Sequence, residues 1–408
     1  MAQSKILVGL EIGTSKTCMV VGEIRPDATA TIIGIGEVSS AGIRKGEIIN
    51  PSMARQCICD AWQLAQDHAD VDILNVYLSV TGEHIVGETC TGSFRLPDDE
   101  HIIDEEHVNI AKEKAEKLEL GSDRFVFNRE LGGFSIDSGE PTQYPIGLTG
   151  RTLDVNCHIV HGIATRLQNS LLCVRKVPLE VEDIVFAPLA TAQMVLTRQQ
   201  KDAGALLIDI GGGTTDYICY KGGDVIASGC LPVGGNTINA DIVKHTEQRI
   251  NNRAAEFFKC TEGNAFGDVK DQSLAKYTGE HGMHEATIPR GLLNKIIRAR
   301  LGETLVMVRE RIAAVDPELL RTPGMSVYFS GGTSLMRGLD GLARYIFNLP
   351  VHQPAPLEPG RGYSYLADPR YCTAIGLIRY AQRDDDDALR GNDIGIIRRF
   401  LNFFRSSH

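Results

Sequence analysis

Ala205-Leu206-Leu207-Ile208-Asp209-Ile210-Gly211-Gly212-Gly213-Thr214-Thr215-Asp216 reads as a buried strand that reaches a carboxylate and then turns through three glycines. Tyr217 to Tyr220 resumes the strand pattern beyond the turn. Strand, glycine-bearing turn and strand make a hairpin whose tip presents backbone N–H groups. Anions bind where several such groups converge with no side chain in the way, and glycine permits both the approach and a positive φ. A carboxylate facing phosphate is repelled unless a cation lies between them. Asp209 at the mouth of this turn therefore implies Mg2+, held through its waters.

The same device occurs about 200 residues earlier. The apolar run Lys5 to Leu10 stops at Glu11-Ile12-Gly13-Thr14-Ser15, with Lys16 beside the turn, and Cys18 to Ile24 and Thr31 to Val38 continue as strands. Glu11 takes the place of Asp209 as a second Mg2+ carboxylate. A third strand, Ser326 to Ser330, ends in Gly331-Gly332-Thr333-Ser334. One such turn alone is as often a plain tight hairpin. Two acid–Gly–Thr turns followed by a Gly-Gly-Thr-Ser turn point to a duplicated architecture with phosphate-cradling turns. The chain has neither a P-loop nor a GxGxxG fingerprint.

The remaining sequence fits that frame. At 408 residues the chain has room for two or three cores. A formal charge of −10 argues against broad nucleic-acid binding. No run of about 18 apolar residues occurs, and the N-terminus lacks a signal-peptide pattern. Ten scattered cysteines without a CxxC pair read as free thiols. The acidic, histidine-bearing stretch Glu280 to Glu285 reads as a polar loop, since no further metal ligands stand near it. Helices are expected at Pro51–Ala69, 187–197, 236–260, Arg290–Val315 and 372–381. Residues 83–165 change character: an acidic, capped helix and strand segments at 124–128, 133–136 and 153–160 make a small α+β insertion.

This set of turns resembles the actin–Hsp70–sugar-kinase superfamily over most of residues 5–381. The resemblance implies an actin-like, ribonuclease H-like α/β fold in duplicated domains around a nucleotide cleft. ATP with Mg2+ would sit on Gly13, Thr14, Ser15 and Lys16 and on Gly211, Gly212, Gly213, Thr214 and Thr215, with Glu11 and Asp209 at the metal. Gly331, Gly332 and Thr333 would pack on the adenine, while Glu256 takes the ribose and Lys259 the base side. Within the superfamily, Gly9 to Lys16, the insertion and the phrase Pro145 to Gly150 resemble the FtsA branch. The implied division is 1–82 with 166–204, the insertion 83–165, 205–235 with 303–381, and an outer subdomain 236–302. An acidic linker, 382–393, and an amphipathic helix, 394–408, follow.

On a helical wheel Ile394, Ile396, Ile397, Phe400, Leu401, Phe403 and Phe404 share one half circle, and Arg398, Arg399 and Arg405 lie on the other. At about 18 Å the segment is too short to span a bilayer but suits an anionic membrane interface. A helix docked on its own body or in a partner's groove is the other reading. One such tail holds weakly, so attachment is expected to need several tails on one filament.

The FtsA resemblance further implies self-assembly, other division proteins as partners, and attachment at the cytoplasmic face of the inner membrane at the division site. It also implies capture of the C-terminal peptide of the tubulin-like GTPase FtsZ by the outer subdomain. Asn294 and Arg300 are the candidates for that contact, or else belong to an ordinary exposed helix face. Hsp70-like and rod-shape relatives place a water-orienting Glu before Pro where this chain has Ala187-Pro188, so turnover is expected to be slow. The rival readings are a pilus-assembly actin-like binding protein and a lone nucleotide-hydrolysing enzyme.

Overall fold

The computed structural model describes residues 4–27, 29–97, 101–247, 249–279, 285–354 and 368–388. The expected amphipathic helix at 394–408, the 389–393 end of the linker and the loop 280–284 lie outside the described residues.

β1 (Lys5–Ile12), β2 (Lys16–Ile24) and β3 (Ala30–Ser39) form an antiparallel meander. A small hairpin, β4 (Ile43–Arg44) and β5 (Glu47–Ile48), leads to α1 (Pro51–Ala69). Asn50 caps α1 by accepting from Met53 N–H, Pro51 opens its first turn, and Asp70 closes it in the left-handed conformation. The helix lies so close on β3 that a Cβ at Gly36 would stand 1.9 Å from Ala61 O. β6 (Asn75–Val80) then runs parallel to β1.

The inserted segment follows: β7 (Val86–Arg95), α2 (Glu105–Ala115), β8 (Arg124–Ile136) and β9 (Thr152–Ile163), with β7 and β8 each antiparallel to β9. Ile103, Val108, Ala111, Phe134, Leu153 and Val155 are among the residues of its own core. The two strand segments expected at 124–128 and 133–136 are one strand. Bulges at 126–128 and 131–134 break its alternation. α3 (Ala164–Arg175), β10 (Glu180–Phe186), α4 (Ala187–Val195) and α5 (Arg198–Ala203) complete the first half, whose sheet runs β10-β6-β1-β2-β3.

The second half repeats the plan with β11 (Ala205–Ile210), β12 (Thr215–Lys221) and β13 (Asp224–Leu231). The helical stretch expected at 236–260 is two helices, α6 (Gly235–His245) and α7 (Asn252–Phe257), the latter continued by a π-helical turn over Phe258–Glu262. β14 (Leu274–Thr278) and β15 (Glu285–Pro289) form a hairpin ahead of α8 (Arg290–Val315). β16 (Ser326–Ser330) lies parallel to β11 as β6 does to β1, followed by α9 (Leu339–Phe347), β17 (Val351–His352) and α10 (Cys372–Ala388). α10 passes the expected end at residue 381 and takes in the first seven residues of the expected linker.

The insertion interrupts the first half in sequence, but its strands extend the sheet of the second. The order β17-β16-β11-β12-β13-β7-β9-β8 is joined through Gly229 and Val86. His158 Nε2 at 2.7 Å from Ser228 Oγ and Gly133 N–H donating to Asp224 at 3.0 Å reinforce that seam.

Candidate nucleotide cleft

The two glycine turns are built alike. Gly13 N–H donates to Lys16 O at 2.9 Å, and Gly211 N–H donates to Thr214 O at 3.0 Å. In register, Glu11 faces Cys18 and Asp209 faces Asp216. The turns meet tip to tip: a Cβ at Gly212 would stand 1.9 Å from Ser15 Oγ, and one at Gly213 would stand 2.4 Å from Thr14 Oγ1. Only glycine allows this approach. Between the halves opens a cleft of about 490 Å3.

Gly13, Thr14, Ser15, Lys16, Gly211, Gly212, Gly213, Thr214, Glu256, Lys259, Gly331, Gly332 and Thr333 all line it, as do Glu11 and Asp209. Thr215 is the exception. It is fully buried, and its hydroxyl donates to Val233 O at 2.8 Å, so it holds the strand and does not face the cleft.

Charge is concentrated at the turns. Burial drives the Asp209 carboxyl up to about 7, with Asp216 and Glu11 adding to it, against hydrogen bonding from Thr191. Asp216 is pushed up to about 6, chiefly by burial, although Thr81 and Thr214 donate to it. Burial alone would lower the Lys16 ammonium; Glu11, 2.7 Å away, outweighs it and holds Lys16 charged. Thr191 and Thr373 hydroxyls reach Asp209 Oδ2 at 3.3 and 3.4 Å. Hard oxygens crowded this way suit a magnesium ion, which would return them to the ionised state. Among the described residues no three His, Cys, Asp or Glu side chains converge to ligate a metal directly. Glu11 and Asp209 are the residues that could hold such an ion.

On the far wall Gly331 has a φ of 83°, and a Cβ there would stand 2.4 Å from Asp209 Oδ1. Thr333 Oγ1 donates to Gly211 O at 3.1 Å, fastening this turn to the second. Lys259 is buried, with Nζ 2.6 Å from Glu256 Oε2. Burial would raise Glu256, but Lys259 outweighs it and keeps the carboxylate below its usual range. Ala187 lines the cleft at the start of α4, where it offers only a methyl group.

Several lining residues escaped the sequence reading, among them Glu37, Thr81, Asn236 and Arg370. Arg370 is fixed by Asp368, which is fully buried and takes a forked contact, with Nη2 to Oδ2 at 2.6 Å. Asp368 also accepts from Arg370 N–H. The Asp-Pro pair just ahead of the last helix was the available signal.

The two residues expected to meet a partner peptide are committed elsewhere. Asn294 is buried; its Oδ1 accepts from Asn264 N–H at 3.0 Å and its Nδ2 donates to Asp268 O at 3.1 Å. It clamps a loop within its own subdomain. Arg300 Nε and Nη2 lie 2.6 and 3.1 Å from Asp241, and Nη1 lies 2.6 Å from Glu303. Its charge is already matched.

The sequence matches the family model described as cell division protein FtsA over residues 206–376, and the one described as the SHS2 domain inserted in FtsA over residues 82–161. It is 32% identical over 383 residues to the cell division protein FtsA of Neisseria meningitidis serogroup B, covering 93% of this chain and 91% of that one. Against FtsA of Escherichia coli K12 the identity is 30% over 386 residues, covering 93% and 90%. In fold it is similar to a chain of the PilM–PilN type IV pilus biogenesis complex, with a TM-score of 0.63, 16% identity and coverage of 92% and 98%. It is also similar to MreB5 of Spiroplasma citri bound to ADP, with a TM-score of 0.54, 16% identity and coverage of 95% and 99%. With an actin-like fold and FtsA sequence along nearly its whole length, this chain belongs to the FtsA family of cell-division proteins.

Proposed function

We propose that this division protein binds ATP with Mg2+ in the cleft, assembles with copies of itself on the cytoplasmic face of the inner membrane, and tethers FtsZ filaments there to organise the septum. The observation that supports the reading is the pair of facing glycine turns, each preceded by a carboxylate. Backbone N–H groups of Gly13 to Ser15 and Gly211 to Gly213 would take phosphate oxygens, and Lys16 would add its charge. The Mg2+ ion would neutralise phosphate charge against Glu11 and Asp209. Ala187 leaves the first turn of α4 without a group to orient water, so nucleotide acts mainly as a structural ligand and assembly switch.

The segment 394–408 would anchor the assembly through anionic lipid, and the outer subdomain would receive the FtsZ C-terminal peptide on residues other than Asn294. Co-sedimentation with anionic liposomes in ATP and Mg2+, comparing the full chain with one ending at Asp393, tests the tethering. Pelleting of the full chain alone is expected. Equal pelleting of both would make the tail a protein-docking helix and sink the membrane part of the proposal.

A further inference from the structure

α10 and β8 advance side by side in the same direction. Asn128 Nδ2 of β8 donates to Tyr380 Oη, and farther along the strand Glu130 takes Arg383 from the next turn of the helix. Past Arg383 the helix rises about 7 Å more to its end at Ala388. Past Glu130 the strand rises about 20 Å more to its end at Ile136. The chain beyond Ile136 builds the tip of the insertion. Phe134 and Thr142 exchange backbone hydrogen bonds there, Ile103 N–H donates to Leu148 O, and Gly150 N–H donates to His101 O.

That tip carries four apolar side chains open to solvent: Tyr144 is 85% exposed, Ile102 62%, Ile146 54% and Leu148 45%. Single exposed apolar residues are ordinary, but four at one loop tip mark a contact surface. Glu105 and Glu106, which open α2 just after Ile103, and Glu140 in the loop after β8 are exposed beside them.

The course of α10 indicates what covers this surface. The helix ends beside the insertion and points along β8 towards the tip. Residues 389–393 extend up to about 17 Å, which makes up the difference between the two rises. The amphipathic pattern of 394–408 begins only then, with its isoleucines, leucine and phenylalanines set against three arginines. An apolar stripe flanked by Arg398, Arg399 and Arg405 complements an apolar tip bordered by glutamates. So short a tether holds the tail at an effective concentration on the order of millimolar, so that even a weak contact fills the surface.

We propose that the insertion tip is a docking surface for the chain's own tail: off the membrane, the apolar face of 394–408 covers Ile102, Tyr144, Ile146 and Leu148, and lipid must displace it. The proposal rests on the amphipathic reading of the tail. One apolar face cannot serve both surfaces at once, so docking and lipid binding exclude each other. The apparent affinity for lipid is then reduced to the fraction of chains whose tail is free.

The test places the photo-crosslinker benzoylphenylalanine at position 144 of the full chain, dilute and without nucleotide, and maps the products by mass spectrometry. Links to residues 394–408 within one chain are expected, and vesicles of phosphatidylglycerol and phosphatidylcholine in equal parts should abolish them. In parallel, the double variant Tyr144→Ser, Ile146→Ser is compared with the natural chain for binding to the same vesicles. Both positions are on the surface, and opening the tip should tighten binding by about threefold or more. Links found only between two chains would make the tip a chain–chain interface and overturn the proposal. Absence of links to the tail, or an unchanged affinity of the double variant in a chain that binds vesicles, would overturn it too. Intramolecular links in a chain that ignores the vesicles would uphold the docking and reject the membrane reading alone.

Discussion

Glu130 of the inserted segment grips Arg383 of α10 through two parallel N–H···O contacts, of 2.8 and 3.2 Å. The same strand sends Asn128 to Tyr380 Oη at 3.2 Å and to Phe186 N–H at 2.8 Å. The insertion is thus fastened to the last helix of the body as well as to the second sheet. Arg383 is about two-fifths exposed, so solvent screens part of the attraction. Either Glu130→Arg or Arg383→Glu should lower stability by about 1–2 kcal/mol, and the double reversal should recover part of it. A double-mutant cycle from denaturant unfolding measures this; strict additivity would show that the fork contributes nothing.

Gly213 and Gly302 should respond to alanine in opposite ways. At Gly213 the new methyl would stand 2.4 Å from Thr14 Oγ1 and force the turns apart, so nucleotide affinity should fall by about tenfold or more. At Gly302, inside α8, nothing lies within 4 Å of the added carbon. Gly302→Ala should stabilise by about 0.5–1 kcal/mol through helix propensity. Nucleotide titration and thermal melting of the two variants separate the effects.

The turns were legible because they demand particular residues: glycine where the two tips touch, and a carboxylate just before each turn. α1 and α8 were legible to the residue, α1 because Asn50 and Pro51 mark its start. β7, paired to β9 along its length but to β13 only through Val86, carries one buried residue in ten and shows no apolar alternation. Asn294, expected on an exposed helix face or at a partner peptide, is buried. Gly291, Leu293, Asn294, Ile296 and Ile297 are buried, while Leu292, Lys295 and Ala299 make a narrow outer face, so an apolar residue lies outside and a polar one inside. Asn239 and Glu256 lie 17 residues apart on different helices, and Arg370 meets the cleft only through the tertiary fold. Long-range pairing of that kind leaves no local pattern to read.

Asp209 at about 7 and Asp216 at about 6 lie above the ordinary 3.8 of an unfolded aspartate. Between pH 4 and 7 the native state therefore holds more protons at these sites than the unfolded chain does. Their contribution to stability falls as pH rises through that window. His84 and His158, lowered by burial to about 4, slope the other way, because the unfolded chain takes up protons there first. Comparison with Asp209→Asn isolates the carboxylate. The variant should gain stability relative to the natural chain as ligand-free samples go from pH 5 to pH 8, and should lose Mg2+-dependent nucleotide binding. A pH-independent difference in melting temperature would refute the assignment.

On the proposed reading, Ala187 presents only a methyl group where a carboxylate could orient water for hydrolysis. Its carbonyl accepts from Thr191 Oγ1 at 2.9 Å, and its methyl lines the cleft at the N-terminal end of α4. A carboxylate at a helix start is favoured by the helix dipole, which offsets part of the repulsion from Asp209 and Asp216. Ala187→Glu should therefore fold and raise ATP turnover by about tenfold or more, towards the lower range for an added general base. The natural chain should turn over at well under about one per second, below common enzyme rates. Steady-state phosphate release measures both. Rapid turnover by the natural chain would place the water-orienting group elsewhere in the cleft, and Asp216, buried beside Thr81, would be the next residue to replace.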